Sequence, residues 1–309
     1  MKKLLTVVFL TLATLALRAQ DEAIFMHYIN NMSILNPSHV AFDDKYEFQF
    51  NFRNQWTGFP GSPFTYAAGF EAPIGGLMGA GLRLSSENIA SLNTYKAQFN
   101  YAFRHKFNSL RLAAGFAVEY SSSRLKNSAL NSSFLEPDDL LIMESMDGLR
   151  ELDATLGVYL RFDAGTHIGI TFPDLIVAKL NDIPNQENTS NLFNLFTVFL
   201  AQDLSFAESN ISLQPSFMFR RVMDGPQTLD FNLKGGFINE KLIAGLSYRY
   251  MFEDSEYMLS SASIMGLLLG TEIDNFTIFY SYDISLQDFQ QYNSGSHEVS
   301  LKLTFDRSE

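Results

Sequence analysis

From residue 46 to the end of the chain, apolar and polar residues alternate with a period of two, and this pattern limits the fold to sheets whose strands carry one apolar and one polar face. Tyr46, Phe48, Phe50 and Phe52 alternate with Glu47, Gln49, Asn51 and Arg53. Tyr95, Ala97, Phe99, Tyr101 and Phe103 alternate with Lys96, Gln98, Asn100 and Arg104. The same rhythm returns in Leu110–Tyr120, Leu152–Phe162, Ile211–Phe219, Leu229–Phe237, Leu242–Tyr250, Phe276–Tyr282 and Val299–Phe305. Two stretches depart from it: Leu192–Leu200 is apolar on both faces, and Ala262–Gly270 is mostly apolar. About fourteen segments of roughly 8–11 residues result, the length that crosses a bilayer when tilted.

A two-sheet sandwich of a secreted protein shows the same alternation, because it buries one face and wets the other. The connections separate the two folds. Pro73–Gly76, Arg104–Ser109, Asp163–Thr166, Ile238–Lys241 and Glu272–Asn275 are tight. Asn54–Pro63, Ser122–Glu151, Pro173–Ser190, Met251–Ser261 and Ser285–Gly295 are longer. Gln202–Asn210 and Arg221–Pro226 break the rule. Short and long connections that alternate in this way are the layout of an antiparallel up-and-down transmembrane β-barrel, with turns in the periplasm and loops outside. Aromatic residues make up 14% of the chain, with 29 Phe and 13 Tyr, which suits a lipid-facing wall and interfacial girdles.

Three parts follow: a signal peptide at 1–19, an N-terminal segment at 20–45 and a barrel at 46–309. Lys2 and Lys3 precede the apolar run Leu4–Ala16, and Ala19 is the expected last residue before cleavage. Residues 20–45, with the turn signal Asn36-Pro37, are expected in the periplasm or folded into the lumen. The chain is thus expected in the outer membrane of a Gram-negative cell, in contact with its lipid.

Little in the sequence carries catalytic or ligand chemistry. The net charge of −12 excludes a nucleic-acid partner, which needs clustered Lys and Arg. With no Cys, disulfides and thiolate metal sites are excluded. The five His (27, 39, 105, 167 and 297) have no metal-site spacing, so neither a metal nor a cofactor is expected. Ser296, His297 and Glu298 hold the residue types of a hydrolase triad, but on a strand His297 points away from the other two. Gly79-Ala-Gly81 lies in a strand, where small residues let backbone approach closely; a dinucleotide loop needs a third glycine. The acidic residues Glu136, Asp138, Asp139, Glu144 and Asp147 lack EF-hand spacing and read as a solvated loop.

Four blocks carry a resemblance. They are Phe25, Tyr28, Asn31 and Asn36-Pro37; Arg53-Asn54-Gln55-Trp56 with Gly58, Gly61 and Pro63; Gly225-Pro226 with Asp230 and Asn232; and Tyr292-Asn293-Ser294-Gly295-Ser296-His297-Glu298. In these the chain resembles the PorP/SprF family of type IX secretion system membrane proteins. It departs from the family after Asn31, where Met32-Ser-Ile-Leu replaces a more aromatic stretch. The resemblance implies a non-enzymatic barrel serving type IX export and gliding motility. It also implies partners among the system's periplasmic and outer-membrane components and the C-terminal domains of secreted adhesins. Closure would pair the first and last strands and bring the second and fourth blocks together on the external rim. Arg53, Asn54, Gln55, Trp56, Tyr292, Asn293, His297 and Glu298 are therefore the candidate partner-docking residues, with Trp56, Tyr292 and His297 on one shared surface. The competing expectation is a channel or hydrophobic-solute transporter; a barrel enzyme such as a lipase lacks a converging nucleophile and base.

Overall fold

The computed structural model describes residues 25–126, 148–180, 195–206, 209–222, 226–255 and 258–307. The expected signal peptide and the acidic residues at 136–147 lie outside them. Sixteen strands occur among the described residues: β1 (Lys45–Asn54), β2 (Phe64–Ile74), β3 (Met78–Ile89), β4 (Leu92–Lys106), β5 (Leu110–Leu125), β6 (Leu149–Phe162), β7 (Thr166–Phe172), β8 (Ala178–Lys179), β9 (Leu195–Gln202), β10 (Leu204–Phe206), β11 (Ile211–Val222), β12 (Gln227–Phe237), β13 (Leu242–Ser255), β14 (Met258–Ile273), β15 (Phe276–Ser285) and β16 (Ser296–Asp306).

Fourteen of these strands form a closed antiparallel wall. β8 only folds back on β6, and β10 only extends the pairing of β11. Each wall strand pairs with its sequence neighbours, and β1 closes on β16 in a register running from Lys45↔Asp306 to Asn54↔His297. Closure leaves no unpaired strand edge for lipid to meet. No helix among the described residues is long and apolar enough to cross a membrane, so the strands do the crossing.

The wall is inverted relative to a soluble protein. Outward side chains are large and apolar, with Phe48, Phe50, Phe70, Phe99, Leu156, Phe231 and Leu267 all exposed. Inward side chains are polar and buried, among them Gln49, Asn51, Arg53, Glu71, Asn100, Asp230, Arg249 and Glu298. That arrangement belongs to a wall with hydrocarbon outside and polar groups within.

One connection differs from expectation. Met251–Ser261 is not a long loop: β13 and β14 continue the ladder to Ser255↔Met258. Likewise β3 and β4 pair as far as Ile89↔Leu92. The β13–β14 ladder runs on beyond Phe252, where the pairing of β13 with β12 ends. The long connection 203–210 holds β10, and Pro215 lies where the pairing of β11 passes from β9 to β10. Proline has no N–H for a ladder, which suits that break.

Candidate functional site

Residues 25–44 run inside the barrel as a strap, and sequence explains its shape. Three 3₁₀ turns follow one another at Met26–Ile29, Met32–Ile34 and Pro37–His39. The side chains of Asn31 and Asn36 accept the backbone N–H of Ser33 and Ser38, each at 3.0 Å, and so cap the second and third turns. Pro37, with its preset φ and no N–H, opens the third.

Wall residues receive the strap at successive heights. At the turn-side end, Arg104 pairs with Asp44 at 2.8 Å and Arg161 with Asp43 at 2.7 Å. The guanidinium groups of Arg111 and Arg161 lie 5.2 and 4.8 Å from the Phe42 ring centre. Higher up, Glu71 accepts the Ala41 N–H at 2.9 Å and the Ser33 hydroxyl. Asn36 donates to the carbonyls of Val158 and Ile170 at 3.0 and 3.3 Å, bridging β6 and β7. Asn31 donates to Gln49. Tyr28 donates to Asp230 at 3.0 Å and accepts from Asn232 at 2.8 Å, while Arg249 binds both oxygens of Asp230. Near the loop end, Glu298 accepts the N–H groups of Met26 at 2.8 Å and His27 at 3.1 Å. Arg53 holds Glu298 at 2.8 Å and Asp283 at 2.9 Å.

Apolar contacts fill the space between these anchors. Met26, Tyr28, Ile29, Met32 and Phe42 of the strap form one buried cluster with Ala113, Tyr159, Phe199, Ala201, Met218, Ile243, Leu268 and Phe279 of the wall. This accounts for β9, which is apolar on both faces: Phe196, Val198 and Leu200 face out, and Phe199 faces in, edge-on to Tyr28 at 6.4 Å. Glycines make the bed. A Cβ on Gly79 would lie 2.4 Å from the Val40 carbonyl, and one on Gly157 would lie 2.0 Å from Asn36 Oδ1. Gly79-Ala-Gly81 is therefore a close-packing notch for the strap.

His27 is buried against Glu298 and Ser300, and His39 stacks on Phe42 at 5.1 Å. At the turn-side mouth the strap leaves a polar cavity of about 610 Å³, lined by charges of both signs including Asp43, Glu47, Arg111, Arg161 and Lys302.

The candidate docking residues divide between rim and lumen. Arg53 is 2% exposed and Glu298 0%, and both belong to the strap anchor. The others sit at the loop-side end, where the two loops are zipped together. Thr57 N–H donates to the Gly295 carbonyl at 2.8 Å, Ser294 N–H to the Thr57 carbonyl at 2.7 Å, and Trp56 N–H to Ser296 Oγ at 3.1 Å. Trp56 is 37% exposed and Tyr292 65% exposed, with Phe59 and Leu286 also exposed nearby in sequence. Trp56 has a φ of 51°, a left-handed conformation that strains a bulky residue and persists only where neighbours enforce it. His297 faces outward, bonded to Tyr280 at 2.8 Å and 5.0 Å from the Tyr282 ring. Asn293 Oδ1 accepts the Gly295 N–H at 2.9 Å, and Gln55 N–H donates to the Pro63 carbonyl at 2.9 Å; Asn54 is half-buried at the end of β1. Ser296 and Glu298 point inward, so the three triad-type residues do not converge. Among the described residues no three His, Asp or Glu gather as a metal site.

The sequence did not reveal that the first block of the resemblance touches the third and fourth. Its signal was present, though: apolar Met218 and Phe279 stand on the otherwise polar, inward faces of β11 and β15, and Phe199 and Leu268 face inward on the two strands that depart from the alternation.

Solved structures share the fold. The chain is similar to the CymD monoaromatic hydrocarbon channel (10% identity, TM-score 0.57, covering 93% of this chain and 94% of that one). It is similar to the P. putida toluene transporter TodX (11%, 0.54, 90% and 95%). It is also similar to CdiB from Acinetobacter baumannii (7%, 0.50, 84%), of which it spans 60%. No curated protein sequence matches the chain. A family model described as type IX secretion system membrane protein PorP/SprF matches residues 17–303. With that match over most of the chain, and a closed wall apolar outside and polar within, this is an outer-membrane barrel, and the chain belongs to the PorP/SprF family of type IX secretion system membrane proteins.

Proposed function

We propose that the protein is a non-enzymatic outer-membrane barrel that assists export or surface anchoring of specific secreted proteins in type IX secretion and gliding, by binding them or the machinery and not by conducting solutes. The observation that carries this reading is the strap: the apolar cluster of Met26, Tyr28, Ile29, Met32 and Phe42 occupies the lumen that a channel would keep open. The loop-side rim supplies a binding surface. Trp56 and Tyr292 present large rings with polar edges on two zipped loops, as suits C-terminal domains of secreted adhesins. On the opposite side, the charged cavity at the turn-side mouth offers a binding surface suited to periplasmic components of the system. The second reading is a hydrophobic-solute channel, as the CymD and TodX structures of like fold are described.

Purified barrel in a planar bilayer separates the two. A scaffold conducts no sustained current, and cells lacking the barrel lose surface display of its cargo. A steady open-pore current from the intact protein would overturn the reading.

A further inference from the structure

The strap enters the barrel from a definite side. Antiparallel order places Lys45, Ile74, Met78 and Asp306 at the turn-side rim, and Asn54, Phe64, Ser285 and Ser296 at the loop-side rim. Asp43 and Asp44, just before β1, meet Arg104, Arg111 and Arg161 near the turn-side ends of β4, β5 and β6. From Ala41 to Ser33 the strap runs level, both residues meeting Glu71, and earlier residues then sit higher. Ser33 meets Glu71, three positions inside the turn-side end of β2. Asn31 meets Gln49, four positions up β1. Tyr28 meets Asp230, close to the loop-side end of β12. Met26 meets Glu298, two positions from the loop-side end of β16. The strap therefore climbs the whole lumen from residue 44 to residue 26.

We propose that the strap is threaded outward, so that its first residue, Phe25, is presented at the external mouth beside the Trp56–Tyr292 rim, on the opposite side of the membrane from the C-terminal end of β16. The packing favours this over a return path. Below Met26 the lumen is taken up by the strap and its apolar cluster, whereas two residues of β16 span only about 7 Å along the strand to the rim. Any protein that docks on the external loops then meets the N-terminal end of the strap as part of the same surface. This last step rests on the docking reading; the threading does not.

The chain has no Cys, so a single introduced thiol is the only target for a membrane-impermeant maleimide. Tyr292→Cys marks the loop side and Asn275→Cys the turn side. On intact cells Phe25→Cys is expected to label as Tyr292→Cys does, with Asn275→Cys labelling only once the outer membrane is permeabilised. No labelling of Phe25→Cys on intact cells that do label Tyr292→Cys would overturn the threading. Because Phe25→Cys removes a ring from the strap, a short epitope inserted between Ile24 and Phe25 gives an independent reading. Antibody binding on whole cells supports the proposal, and binding only after permeabilisation overturns it. Loss of cargo binding with the labelling pattern intact would count against the docking reading alone.

Discussion

Gly157→Ala tests whether the strap is seated as described. The added methyl would sit 2.0 Å from Asn36 Oδ1, 2.9 Å from its Cγ and 3.1 Å from Pro37 Cδ. Asn36 has little room to yield, because it is pinned by four bonds: from Ser38 N–H at 3.0 Å and Ser38 Oγ at 2.6 Å, and to the Val158 and Ile170 carbonyls at 3.0 and 3.3 Å. Moving it by more than an ångström breaks at least two of these. At about 1 kcal/mol net per bond, with a further penalty for each buried group left unpaired, the cost is about 2–4 kcal/mol. The measurement is a double-mutant cycle with Asn36→Ala, read by unfolding of the barrel in detergent. Asn36→Ala removes the clashing atoms, so Gly157→Ala is expected to cost less than about 1 kcal/mol in that background. The coupling would then be roughly 1–3 kcal/mol, in the range found for residues in direct contact. Additive effects would refute the reasoning, since they would mean that the two residues do not meet.

Further perturbations separate the rim from the strap. Trp56→Asn removes the indole while keeping a residue that accepts positive φ, so barrel abundance is expected to hold within about 1 kcal/mol of stability while surface-retained cargo falls; paired losses in whole-cell fractionation would sink the docking role. Glu298→Gln removes the charge facing Arg53 at the strap's upper anchor, and a loss of about 2–4 kcal/mol in unfolding experiments is expected, as for a buried pair broken on one side.

Much of the fold was legible because a membrane wall imposes a rule on every residue of every strand. Hydrocarbon outside and polar groups inside leave alternation wherever both faces meet their usual surroundings, as in β1 and β4. The loops were less legible. Met251–Ser261 carries polar residues that look like a loop, yet the ladder of β13 and β14 continues through it to Ser255↔Met258. The candidate rim was half legible. Closure alone brings Arg53–Trp56 beside Tyr292–Glu298. Which of these residues reach solvent depends on parity along β1 and β16, and parity turns Arg53 and Glu298 inward.

The strap was the part that strand periodicity could not announce directly, because a lumen full of water satisfies polar residues as well as a lumen full of protein. Hydrogen bonds therefore explain its position better than its stability. If the strap left, Glu71, Asp230 and Glu298 would exchange its donors for water at a small net change per bond. The apolar wall residues have no such alternative. Phe199, Met218, Leu268 and Phe279 face the lumen, and Met26, Tyr28, Ile29, Met32 and Phe42 of the strap keep them dry. The apolar cluster is thus what retains the strap, and the carboxylates set its register. It follows that the interruptions in the alternation are the sequence's record of the strap, since each marks a place where the inner face was built to meet protein.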